Sequence, residues 1–283
     1  MKVVVTGAAG QLGQDVVLEL TRKNHEAIGT DRNQLDITNE AEVFSFINEV
    51  KPDVILHCAA YTNVDAAEEN EDLAYQINAS GTEYLAKAAQ QIGAKMLYIS
   101  TDYVFDGTAS EPYEVDEQTK PLGAYGRTKL AGEELLQKHL RESFIVRTAW
   151  VFGIHGHNFV KTMLRLGEER GEVGVVHDQV GSPTYTVDLA KFMVELMETD
   201  KYGIYHATNS GVCSWYEFAV EIFKQAGLNV TVNPLTSDQF PRPAARPNYS
   251  VLSKKKIEER GLTSLRDWED ALTAYLQETK NNI

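Results

Sequence analysis

The stretch Val3-Val4-Val5-Thr6-Gly7-Ala8-Ala9-Gly10-Gln11-Leu12-Gly13 decides how this chain is read. A run of β-branched valines enters glycines spaced GxxGxxG, and apolar residues at helical intervals continue from Leu12 to Arg22. A strand that turns sharply into a helix fits this order. Gly7 suits the tight turn, Gly10 lets backbone N–H groups approach a pyrophosphate, and Gly13 lets helix and strand pack closely. Gln11 and Leu12 open the helix, whose N-terminus offers orphan donors and a partial positive charge to a phosphate.

Working outward, short β-rich runs recur at Ala27-Ile28-Gly29, Val54-Ile55-Leu56-His57, Met96-Leu97-Tyr98-Ile99 and Phe144-Ile145-Val146, with helical spacing between them, as from Leu73 to Ile92. Such alternation predicts βαβ units and a parallel sheet. The runs are almost wholly apolar, as strands covered on both faces require. Right-handed crossovers then give an α/β fold, a Rossmann-like doubly wound parallel sheet. Past residue 150 helix-like stretches (159–169, 188–198, 215–226, 265–277) mix with strand-like runs (173–176, 204–207, 230–232), which predicts a smaller mixed lobe. Residues 1–150 are expected to form an NAD(P)-binding domain. Residues 151–283 are expected to form mainly a substrate-binding lobe, with some segments returning to the first domain. Four of the eight prolines fall between Pro234 and Pro247, so a shaped loop is expected from Thr236 to Arg246.

Composition narrows the partners. Lys and Arg number 27 against 41 Asp and Glu, a net charge of −14 that works against nucleic acid. At 43% hydrophobic and 24% charged residues the 283-residue chain is globular. No apolar run approaches the roughly 20 residues of a membrane span, and no signal-peptide pattern precedes Val3, so a cytoplasmic protein without membrane contact is expected. Cys58, in an apolar run, and Cys213, in a polar loop, make neither a disulfide framework nor a metal spacing. Asp15, just after the glycine turn, is an ordinary partner for a helix dipole. Among the seven histidines only His155 and His157 stand close, in a loop expected over the substrate site, so no metal is expected.

After the second strand-like run, Asp31 can accept from a ribose 2′-hydroxyl and Arg32 can neutralise a 2′-phosphate, which leaves NADH against NADPH open. Asp36 and Ile37 can border an adenine. Ala59-Ala60-Tyr61-Thr62 supplies mostly small residues where a cofactor must pass close to backbone. Tyr125 and Lys129 stand four residues apart at the start of a helix, hence on one face. A phenol of pKa near 10 exchanges protons at neutral pH only with help. A neighbouring ammonium supplies it by favouring the phenolate, which makes Tyr125 a candidate general acid for carbonyl reduction. Thr101, beyond the fourth strand-like run, can hydrogen-bond the carbonyl.

These motifs, TGxxGxxG, then a Ser or Thr, then YxxxK, resemble the extended short-chain dehydrogenase/reductases over nearly the whole chain. Within that superfamily STDYVFDG (100–107), GAYGRTKLAGE (123–133), RTAWVFG (147–153), Asn158–Met163, Asp178–Thr184 and the RPxxS run at Arg246 resemble the dTDP-4-dehydrorhamnose reductase family. The resemblance implies NADPH- or NADH-dependent reduction of the C4 keto group of a dTDP-sugar for surface polysaccharide, by a monomer or homodimer. By motif position it implies a catalytic set of Thr101, Tyr125 and Lys129, and a substrate site of Thr101, Asp102, Tyr103, Trp150 and Arg246. It places the nucleotide near Gln179 to Thr184. Related dehydratases carry Asp-Glu after the threonine for elimination, whereas Tyr103 follows Asp102 here. A 4-epimerase with retained NAD, and a non-catalytic subunit like the β subunits of methionine adenosyltransferase, are the rival readings.

Overall fold

The computed structural model describes residues 1–281. Its first half runs β1 (Lys2–Thr6), α1 (Gln11–Arg22), β2 (Glu26–Thr30), α2 (Glu40–Val50), β3 (Val54–His57), α3 (Val64–Glu69), α4 (Glu71–Tyr75), α5 (Gly81–Ile92), β4 (Lys95–Thr101), α6 (Ala124–His139) and β5 (Ser143–Thr148). Strands β1 to β5 join β10 (Gly203–His206) in one parallel sheet of order β10-β5-β4-β3-β1-β2. The order reverses at β1, between β2 and β3, and the carboxyl ends there form the crevice in which open α/β sheets bind ligands.

Side-chain alternation along β1 builds two cores. Val3 and Val5 pack on one face with Leu56, Leu189 and Met193. Val4 faces the other way, with Ile55, Met96, Leu85 and Leu136. The second core lies under α2, α5 and α6. The first is closed by α1 and by α8 (Thr186–Met197), which pack against each other. Residues beyond 150 thus supply the sheet with an edge strand and a covering helix.

The remaining elements are β6 (Val151–Phe152), α7 (Phe159–Arg170), β7 (Glu172–Val176), β8 (Val180–Gly181), β9 (Thr184–Tyr185), β11 (Cys213–Ser214), α9 (Trp215–Ala226), β12 (Thr231–Leu235), α10 (Lys255–Glu259) and α11 (Trp268–Asn281). Phe152, Phe218, Trp268 and Tyr275 centre a third core among them. Helix starts are set by side chains accepting from the first turn: Asn39 for α2, Asn63 for α3, Asn158 for α7, and Ser214 with Glu217 in a capping box for α9.

Two expectations need correction. Cys213 is not in a polar loop: it is 3% exposed, in β11, paired with Gly181 of β8. The helical stretch from Leu73 to Ile92 is not one regular helix, because a π-turn at Gln76–Ser80 interrupts it. No helix of the described residues is long and apolar enough to cross a membrane. No group of three or more metal-ligating side chains occurs among them.

Candidate active site

Gly7 leaves β1 at a φ of 67°, and a Cβ there would lie 2.7 Å from the Ala59 nitrogen. A Cβ on Gly13 would lie 2.2 Å from the Gly7 carbonyl oxygen, so α1 sits directly on the turn. Helix α1 starts at Gly10 with no side-chain cap, leaving first-turn N–H groups at the mouth of a cleft of about 880 Å³. This cradle fits a dinucleotide pyrophosphate. Gly7, Gly10, Gln11, Leu12, Gly13, Asp31, Arg32, Asp36, Ile37, Ala59, Ala60 and Thr62 all line the cleft, and so do Thr101, Asp102, Tyr103, Tyr125, Lys129 and Trp150.

Tyr61 and Arg246 do not line it. The Tyr61 N–H donates to Asn78 Oδ1 at 2.8 Å and its ring packs with Ala67, Ala74 and Ala124 beside Tyr125. Arg246 pairs with Asp65 at the start of α3 at 3.2 Å and neighbours the Tyr103 hydroxyl. Asp65 also accepts from the Ala244 N–H at 3.3 Å, so it fastens the proline-rich loop to α3. None of residues 179–184 lines the cleft either, but Gly181 backs Trp150 closely enough that a Cβ would meet its indole at 2.7 Å.

At the end of β2 the Asp31 carboxylate turns into its own loop, accepting the N–H groups of Asn33 and Gln34 at 2.8 and 3.3 Å. Arg32 beside it is 82% exposed. Across the cleft Gln11 donates to the Val151 carbonyl at 3.3 Å and accepts from Asn158 at 2.8 Å, tying the glycine turn to β6 and the start of α7. Gly156 and His157 line the rim, whereas His155 turns toward Asp15 at 3.7 Å.

Thr101 ends β4, Tyr125 lies in the first turn of α6, and Lys129 follows one turn later. The Lys129 ammonium donates to the Ile99 carbonyl at 2.6 Å and lies 4.0 Å from the centre of the Tyr98 ring. Burial lowers its pKa to about 7, partly offset by the Glu133 carboxylate. The Thr101 hydroxyl donates to Asp102 Oδ1 at 3.0 Å. Burial lifts the Asp102 carboxyl to about 6, against hydrogen bonds from Ser250 and Thr101.

Burial also pushes the Tyr125 phenol well above its ordinary pKa, Asp102 adds to this, and Thr101 opposes it. The lowering of the Tyr125 pKa anticipated from Lys129 is therefore not what the geometry produces. A phenolate there would be desolvated beside a carboxylate, while the ammonium is turned to Ile99. The phenol is held in its protonated, proton-donating form.

With this cleft in view, the comparison with known sequences is decisive: residues 1–281 match the family described as the RmlD substrate binding domain. The chain belongs to that family. A dTDP-4-dehydrorhamnose reductase from Clostridium acetobutylicum ATCC 824 is 49% identical with a TM-score of 0.97, covering 99% of this chain and 100% of that one. The Bacillus anthracis dTDP-4-dehydrorhamnose reductase, solved in complex with NADP, is 45% identical with a TM-score of 0.96, covering 98% and 100%. The Mycobacterium tuberculosis H37Rv dTDP-4-dehydrorhamnose reductase is 42% identical over 288 residues, 99% of this chain and 94% of that protein.

Several residues that shape this RmlD-family cleft went unread in the sequence. Asn78, in the π-turn, binds the Tyr61 backbone and donates to Thr128 on α6 at 3.1 Å, joining the loop after β3 to the helix that carries Tyr125 and Lys129. A π-turn inside a helix often marks a functional site, but its sequence carries no period that exposes it. Gly126 lies so close to the loop after Thr101 that a Cβ would sit 2.2 Å from the Tyr103 carbonyl oxygen. A glycine inside the Tyr-Lys interval was the available signal. Trp215 stacks behind Trp150, and nothing local in the sequence joins two tryptophans so far apart.

Proposed function

We propose that this chain uses NADPH or NADH to reduce the C4 keto group of dTDP-4-dehydro-β-L-rhamnose to dTDP-L-rhamnose, for surface polysaccharide. The observation that carries this reading is that Thr101, Tyr125 and Lys129 line the same cleft as an uncapped glycine turn. In this reading residues 1–150 mainly hold the dinucleotide and residues 151–283 mainly shape the sugar site, in a cytoplasmic monomer or homodimer.

When bound, the reduced nicotinamide supplies a hydride to C4. The chain's own residues supply the proton and the charge control. Tyr125, kept protonated by its burial, donates to the carbonyl oxygen, so one hydride and one proton convert C=O to CH–OH. Thr101 steadies the developing alkoxide with its hydroxyl. Lys129 offsets the charge left on Tyr125 after transfer. Trp150 walls the sugar, and Asp102 and Tyr103 hold its polar edge. Tyr103 stands where elimination would need a second carboxylate, and burial pushes its phenol up to about 12, so it is no base at neutral pH. This favours plain reduction over dehydration.

The test is loss of reduced-nicotinamide absorbance with purified protein, NADPH or NADH, and dTDP-4-dehydro-β-L-rhamnose generated in the same tube. Stoichiometric oxidation with dTDP-L-rhamnose formed is the expected result. Coenzyme binding without oxidation overturns the proposal in favour of an epimerase with retained NAD or a non-catalytic binding subunit.

A further inference from the structure

Helix α6 carries a third polar residue in line with Tyr125 and Lys129. Glu133 lies one turn beyond Lys129 on the same face and is 1% exposed. Its carboxylate accepts the Ser100 hydroxyl at 2.5 Å and Arg147 Nε and Nη2 at 2.9 and 2.6 Å. Arg147, 3% exposed, is satisfied in turn. Its Nη1 donates to the Val115 carbonyl at 3.3 Å and to His206 Nε2 at 3.4 Å, and His206 Nδ1 donates to the Tyr113 carbonyl at 3.0 Å.

A buried ion pair costs desolvation energy that apolar side chains of similar size avoid, so its position asks for a reason. Ser100, which ties Glu133 to β4, sits between Ile99, whose carbonyl takes the Lys129 ammonium, and Thr101 at the cleft. The groups that face Lys129 are otherwise uncharged at neutral pH. Burial drives His57 at the end of β3 down to about 3, drives neighbouring Cys58 up to about 12, and raises Tyr98 on β4 and Tyr125 on α6. The Asp102 carboxyl acts on Tyr125. Glu133 is the carboxylate whose field opposes the burial of Lys129.

We propose that Glu133 is a positioning residue: clamped by Arg147 and Ser100, it keeps Lys129 an ammonium while standing too firmly held to pair with it directly. Among the described residues Lys129 makes no ion pair, so its charge stays available to the cleft it lines. Ser100 carries the same clamp into the backbone that presents Thr101. The consequence for turnover rests on the reductase reading; the consequence for Lys129 does not.

The test is a pH titration of lysine side chains labelled with ¹³C at Cε, in protein without coenzyme, with the Lys129 signal assigned by its loss in Lys129→Met. Glu133→Gln keeps the shape and removes the charge, and the Lys129 midpoint is expected to fall by about one pH unit or more. Glu133→Asp keeps the charge and is expected to hold the midpoint near that of the parent. The alkaline limb of kcat for keto-sugar reduction should move with the Lys129 midpoint, about tenfold in rate per unit once Lys129 is mostly neutral, with KM for the sugar nucleotide unchanged. A Glu133→Gln protein that melts earlier but keeps the parental Lys129 midpoint overturns the proposal and leaves a purely structural ion pair. Should Glu133→Gln fail to fold with Arg147 unpaired, Glu133→Gln/Arg147→Met removes both charges, and the same two outcomes decide. If the parent oxidises no coenzyme, the reductase reading fails while the titration still settles what Glu133 does.

Discussion

The indole of Trp150 lies flat on that of Trp215, ring centroids 3.6 Å apart and planes 11° apart. Trp150 reaches this position from a left-handed backbone, φ 49°, just after β5, while Trp215 is the first residue of α9 behind its capping box. Helix α9 thereby sets the wall of a cleft whose floor belongs to the sheet. Stacked aromatics contribute roughly 0.5–1.5 kcal/mol beyond their buried area. Trp215→Leu is therefore expected to raise KM for the nucleotide sugar roughly 2- to 10-fold while kcat stays within about twofold. Steady-state kinetics check this, and near-ultraviolet circular dichroism should lose the signal of the stacked pair.

Tyr125→Phe removes the donated proton and keeps the ring that packs against Tyr103, at 5.5 Å between centroids. Turnover should fall by about 100-fold or more, the usual worth of a positioned general acid. Coenzyme affinity, read by fluorescence titration, should stay within about threefold. Unchanged turnover would remove Tyr125 from the proton-donor role.

Coenzyme choice should follow Arg32. Asp31 spends one carboxylate oxygen on the N–H groups of Asn33 and Gln34, whereas Arg32, 82% exposed at the cleft rim, meets only Asp36, in a long ion pair at 4.0 Å. Arg32→Ala is expected to raise KM for NADPH about tenfold, equivalent to about 1.4 kcal/mol, and to leave KM for NADH within about twofold. Equal effects on both coenzymes would show that Arg32 does not read a 2′-phosphate.

Asp102 makes stability depend on pH. Its folded pKa is raised from 3.8 to about 6, so between those values the folded chain binds more protons than the unfolded one and stability falls as pH rises. The contribution is intact below about pH 4 and lost above about pH 6. Asp102→Asn should melt higher than the parent at pH 8, by on the order of 2 kcal/mol, and show little gain at pH 4. Thermal melts at the two pH values check the sign, and a gain independent of pH would contradict it.

Gly13→Ala places a Cβ 2.2 Å from a backbone oxygen that no rotamer change can move. Helix α1 must shift off the turn, so coenzyme binding should weaken by about tenfold or more, with a lower melting temperature. Calorimetric titration with NADPH reads the first and a thermal melt the second.

Much of this molecule is legible from local sequence. The run 54–57 is β3 as read, the stretch 215–226 is α9, and the glycine turn lies between β1 and α1. Tyr125 and Lys129 share a helix face because a four-residue interval imposes it. What depends on distant partners was not legible. Arg246 carries a charge suited to a diphosphate, yet Asp65 holds it from 181 residues away. Cys213 sits among polar residues in the chain but pairs with Gly181 in space.

The sequence alone thus determined the βαβ order, the glycine turn between β1 and α1, and the shared helix face of Tyr125 and Lys129, since these follow from backbone sterics and from periods of two and 3.6 residues. The tertiary structure decided the charge state of Tyr125 and Lys129. Tyr125 is driven up by burial beside Asp102, and Lys129 is held between burial and Glu133. A residue's type sets its reference pKa, but desolvation and neighbouring charge set the working one, and both exist only once the chain has brought β4, β5 and α6 together.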